Sequence, residues 1–139
     1  MFEQDYLMKQ FLMFFQALTR SWEQMQDEED PQGAADTLEN AISVATEMDG
    51  TALLTLAPES IASIMQVTGV DPNVVEYISR SMLLESVYLG QAGNVELADV
   101  RAAQARAIAD AYGFGLPDDP SDFDAITAGL EEAALQAGF

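Results

Sequence analysis

Met8-Lys9-Gln10-Phe11-Leu12-Met13-Phe14-Phe15-Gln16-Ala17-Leu18 decides how this chain is read. Five apolar residues in succession, Phe11 to Phe15, fit a secretory leader, a membrane span or a buried helix. A leader needs a basic start, an apolar centre and a small-residue cleavage site. Here Glu3 and Asp5 precede the run, against Lys9 alone. A span needs about 20 apolar residues, and this run stops at Gln16. Helical spacing fits instead. Leu7, Phe11, Phe14, Leu18, Trp22 and Met25 recur at intervals of three and four, the period of one helix face. Met8, Leu12 and Phe15 form a second row beside it, and Phe2, Tyr6 and Met13 lie further round. A helix apolar over so much of its circumference is central or offers a face to another chain. Aromatic residues anchor cores and interfaces alike, so Phe11, Phe14, Phe15 and Trp22, with Tyr88 further on, are the candidate interaction surface.

Outward from this helix, the punctuation is that of an all-α chain. The first helix runs from about Glu3 to Met25 and stops in the acidic turn Asp27-Glu28-Glu29-Asp30. Asp30-Pro31 supplies an N-cap followed by proline at the first helical position. The second helix extends to about Met48, with Ala35, Leu38, Ile42 and Ala45 on one face, and Asp49-Gly50 ends it. Thr51 to Leu56 forms a short helical turn or a lone strand. Pro58 opens a helix that ends at Gly69, with Ile61, Ile64, Met65 and Val67 apolar. Asp71-Pro72 starts a long helix to about Gln91, with Val74, Val75, Ile78, Met82 and Val87 inward and Tyr77, Leu84 and Tyr88 on a second apolar edge. Glu76 and Arg80 sit four apart, the spacing of a helix ion pair. Gly90 to Gly93 turns the chain, and Asn94 caps an alanine-rich helix to about Tyr112. After the loop from Gly113 to Pro120, Ser121 or Asp122 caps a last helix through Phe123, Ile126, Leu130, Ala133 and Leu135. The expectation is a single all-α domain, residues 1–139, of six or seven helices in antiparallel pairs. A chain of 139 residues buries enough surface to fold without staples.

Leu83-Leu-Glu-Ser-Val-Tyr88-Leu-Gly90-Gln-Ala-Gly93-Asn-Val-Glu-Leu-Ala98 resembles the middle of a tetratricopeptide unit: an aromatic in the first helix, glycine near the turn, alanine early in the second. Asp36-Thr-Leu38-Glu-Asn-Ala41 is a fainter echo. The likeness covers about half of the chain. It departs from the pattern in its irregular spacing, in the absence of proline at the unit end, and in residues 50–70, which interrupt the array. It implies a tetratricopeptide-like α–α superhelix. The opening Phe2-Glu-Gln-Asp5-Tyr6-Leu7-Met8-Lys9-Gln10 resembles the start of a family of small, uncharacterised bacterial proteins that continue as tetratricopeptide-like helices. That resemblance implies the same fold and a bacterial cytoplasmic setting, and carries no activity.

Chemistry is limited by composition. The chain has no Cys and no His, which excludes thiol catalysis, Ser-His-Asp triads and zinc sites that need nitrogen or sulfur ligands. There are 24 acidic residues against five basic ones, Lys9, Arg20, Arg80, Arg101 and Arg106, for a net charge of −19. Such a charge repels nucleic acid and anionic membranes. Asp118, Asp119, Asp122 and Asp124 match no EF-hand register, which needs oxygen ligands at loop positions 1, 3 and 5, Gly at 6 and Glu at 12. Helix capping accounts for them. No cofactor or metal signature is present. The expected function is a non-catalytic helical interaction module, binding a protein partner or itself as a homodimer. The alternative is a carboxylate- or divalent-metal-dependent enzyme, or a helical protein that binds a small ligand.

Overall fold

A computed structural model describes residues 2–48, 52 and 55–130, with side chains from residue 6 onward. Six helices stand among the described residues: α1 (Phe2–Gln26), α2 (Pro31–Thr46), α3 (Pro58–Val67), α4 (Pro72–Gln91), α5 (Val95–Tyr112) and α6 (Phe123–Ile126). No strand is present among them. The expected turn or strand at Thr51 to Leu56 falls mostly outside the described residues, as do Asp49-Gly50, Ala133 and Leu135; the last helix, expected to continue through Leu130, stops at Ile126 in a turn where Gly129 takes φ 82°.

The Asp-Pro starts work as read. Asp30 accepts a hydrogen bond from the Gly33 N–H at 2.9 Å, and Asp71 accepts from Asn73 N–H at 2.8 Å. Each satisfies a donor that the first helical turn leaves open. The third Asp-Pro differs. Asp119 turns back on Ser121, and Asp122 caps α6 by accepting from Ala125 N–H at 3.2 Å. Asn94 occupies the cap position of α5 but makes no side-chain capping bond. α2 stops before Asp49: Glu47 takes the left-handed conformation, φ 57°, and donates its N–H to the Ser43 carbonyl.

α1 and α2 pack together, α4 and α5 pack together, and α2 lies against α4, so that the two pairs stack. α3 covers α5, and α6 folds back onto α4. The central helix is α4, not α1. Thirteen of its residues are buried, including Val74, Val75, Ile78, Met82 and the whole second edge Tyr77, Leu84 and Tyr88. Val87, expected inward, is only half-buried. α5 approaches α4 closely because its contact positions include Ala105 and Ala109, both buried. The core runs through all of these helices, from Phe14 and Leu18 on α1 to Ile126 and Leu130 at the end. Full burial of each large aliphatic side chain contributes roughly 1.5–3 kcal/mol.

α1 loses its apolar excess to neighbours inside the chain. Phe11 meets the Tyr77 ring edge-on, with centroids 5.6 Å apart. Trp22 stacks on Phe123 at 4.7 Å. The C-terminal segment is held there by two donors to one carbonyl: Tyr77 Oη at 3.1 Å and Arg80 Nη1 at 2.9 Å both donate to Ala128 O. The expected Glu76–Arg80 pair forms at 3.4 Å.

Candidate functional site

The candidate interaction residues divide. Phe14 and Tyr88 are fully buried, so neither presents a surface to a partner, and for these two the expectation is corrected. Helical spacing places Phe14 on the inward row of α1 and Tyr88 on that of α4, and these two helices pack together. Tyr88 is an interior structural group: its hydroxyl pairs at 3.1 Å with Ser21 Oγ, which donates to Leu18 O. Burial pushes Tyr88 up to about 12. Phe11, Phe15 and Trp22 are half-buried and packed on the core. Among the described side chains of α1, the exposed aromatic is Tyr6, which sequence reasoning set on the flank.

Tyr6 stands at the mouth of a groove of about 760 Å³. One wall is the N-terminal half of α1, with Leu7 and Gln10. The other is the end of α2, Ala45 to Glu47, and the floor is closed by residues 68–74 of the α3–α4 connection. Its lining is mixed: Leu7 and Val70 are apolar, Gln10, Thr46 and Thr68 are polar, and Glu47 and Asp71 add two exposed carboxylates. Gln10 is buried, and its Oε1 has no hydrogen-bond partner. A buried acceptor left unmatched costs roughly 1–3 kcal/mol. A second, shallower depression lies between the outer faces of α1 and α2, around Met13, Ala17, Ala41 and Val44.

A different set of groups lies inside the bundle, where α2, α4 and α5 meet. Arg101 of α5 is fully buried. Its Nη2 donates to Glu39 Oε1 at 2.8 Å, and its Nη1 donates to Gln104 Oε1 at 2.9 Å. Gln104 Nε2 donates in turn to Leu56 O at 2.8 Å. Glu85 of α4 is also fully buried. Its Oε1 lies 3.3 Å from Arg101 Nε, yet neither of its oxygens receives a hydrogen bond. Burial raises Glu85 to about 8, against the opposing pull of Arg101 and with the repulsion of Glu39 and Asp36. Sequence reasoning missed this cluster. Its one signal was an acid on an apolar row: Glu85 follows Ile78 and Met82 at helical spacing.

Glu39 and Glu85 line neither groove. No group of three or more acidic residues is placed to hold a metal ion among the described residues. No described helix is long and apolar enough to cross a membrane. No protein-family model matches the chain, and no curated protein or solved structure matches it either.

Proposed function

We propose that this chain is a non-catalytic helical interaction module that seats a basic, apolar-bodied segment of a partner protein in the groove between α1, α2 and the start of α4. The observation that carries the reading is the groove's lining: apolar side chains beside polar ones, an exposed tyrosine ring, two exposed carboxylates, and no Lys or Arg among the described lining residues. Its volume of about 760 Å³ is in the range of formed binding clefts, about 300–1,000 Å³. Aliphatic stems of Lys or Arg pack on Leu7 and Val70 while their charges reach Glu47 and Asp71. The Tyr6 ring offers a face to the same cations.

The net charge of −19 favours this partner over a second copy of the chain. Two such surfaces repel each other, whereas a basic segment is steered in. The resemblance to tetratricopeptide units supports the reading, since stacked helix pairs make concave binding surfaces. The carboxylate-enzyme alternative has less support, because the most perturbed acid is sealed inside the bundle.

Selection from a random peptide display library tests the proposal. Enriched peptides should combine Lys or Arg with aliphatic residues and should lose at least tenfold affinity for Glu47→Lys and for Tyr6→Ala. Both positions are exposed, so the variants keep the fold. Enriched peptides without basic residues, or peptides that bind both variants unchanged, would overturn it.

A further inference from the structure

The buried acids of α2 and α4 form a device that is independent of what the groove holds. We propose that Glu85 keeps its proton in the folded chain, as a neutral acid beside the Arg101–Glu39 ion pair, and that this protonated cluster locks α2, α4 and α5 together. The geometry assigns the partners. Arg101 spends its well-formed charge-assisted bond on Glu39, at 2.8 Å. Toward Glu85 it offers only the misaligned Nε, at 3.3 Å, with no hydrogen bond made. Glu39 is therefore the carboxylate and Glu85 the acid. Ionising Glu85 would set its charge against that of Glu39, which already holds Arg101.

Full ionisation of both acids would place two negative charges on one guanidinium, one of them wholly out of water. That arrangement is costly, because removing a carboxylate from water is repaid only by good geometry and full hydrogen bonding. Two carboxyls in one site titrate as a pair, with one member held protonated well above its ordinary range. The charges acting on Glu85 are Arg101 from α5 and Glu39 and Asp36 from α2. Two of the three are acidic, and α1 and α6 contribute none.

The consequence has a sign. Glu85 binds its proton more tightly in the folded chain than in the unfolded one. Its contribution to stability is full below the unfolded value of 4.5 and is lost as pH climbs through about 8. Above that range the pair must separate. Glu39, 22% exposed, is the member with a way out to water, whereas Glu85 has none. Its departure frees Arg101 Nη2 and loosens the α2–α5 contact. It also unsettles the Gln104 bond that ties the segment before α3 to α5.

The experiment follows the Glu85 side-chain carboxyl carbon by NMR across pH 4 to 10 in the intact chain. The result expected is a midpoint near 8 in the wild type, shifted down in Glu39→Gln, where the neighbouring negative charge is gone. Thermal unfolding supplies the second arm. Glu85→Gln copies the neutral acid, so its Tm should match wild type below pH 4.5, exceed it by a margin that grows up to about pH 8, and keep that margin constant above. A wild-type midpoint near 4.5, or one that Glu39→Gln leaves in place, would overturn the proposal. So would wild-type and Glu85→Gln unfolding curves that run parallel at every pH. If Glu85→Gln does not fold, the two NMR titrations decide the matter alone.

Discussion

Gly33 shows how much one residue can be committed to. It lies in the first turn of α2, where alanine is ordinarily better by about 1 kcal/mol. A Cβ built at Gly33 overlaps the Asp30 carboxylate, so alanine there must displace the group that caps the helix. The cap is worth about 1 kcal/mol. Gly33→Ala is thus expected to give no net gain in denaturant midpoint, in contrast to the usual glycine-to-alanine exchange in a helix. In the Asp30→Ala background, where there is no cap to lose, the same exchange should stabilise. Chemical denaturation of the three variants checks both statements. The residue scale is also where reading the sequence falls short. Glu85, Arg101 and Glu39 lie far apart in the chain and come together only when three helices pack. Arg101 lies in an alanine-rich helix, where small neighbours leave room for a long buried side chain, but nothing local names its partner.

At the scale of elements, helix starts are the legible part, because proline and aspartate act through local chemistry. Pro31, Pro58 and Pro72 each open a helix, and Gly113, with φ 77°, closes α5 in the left-handed conformation that glycine enters without strain. What covers α1 was not legible. Trp22, Phe11 and Phe15 have the spacing of a surface for another chain and of a core alike; the C-terminal segment covers Trp22 through Phe123, and α4 covers Phe11 through Tyr77. That segment is a strap with few anchors: one stacked ring, two donors on Ala128 O, and the buried Ile126 and Leu130. Phe123→Ala removes the stack, worth about 0.5–1.5 kcal/mol beyond its area. Amide hydrogen exchange should then accelerate over residues 123–130, while the α2–α4 interior keeps its protection. Equal acceleration throughout would show that the strap is not a separate unit.

For the whole molecule, the all-α class and the paired helices were legible because the hydrophobic period is long and consistent. The identity of the central helix was not, since α1 is richer in aromatics than α4, yet α4 is the one enclosed by α1, α2, α5 and α6. The net charge of −19 acts at this scale. Self-repulsion of a compact, highly charged chain opposes folding, and salt at 0.1 M shortens its reach to about 10 Å. Tm is therefore expected to rise from low salt to several hundred millimolar sodium chloride. A fall over that range would mean that the surface ion pairs, such as Arg20–Glu28, outweigh the repulsion. The same charge governs recognition, because basic segments gain by approaching a surface that repels copies of itself.

The groove is the central claim, and a chemical-shift footprint tests it most directly. Isotope-labelled protein is titrated with a selected Lys- and Leu-bearing peptide in NMR. The account predicts a continuous patch of shifts over Tyr6, Leu7 and Gln10, residues 45–47 and residues 68–74, weakened by added salt. A footprint on the outer faces of α1 and α2, or one that salt leaves unchanged, would contradict it.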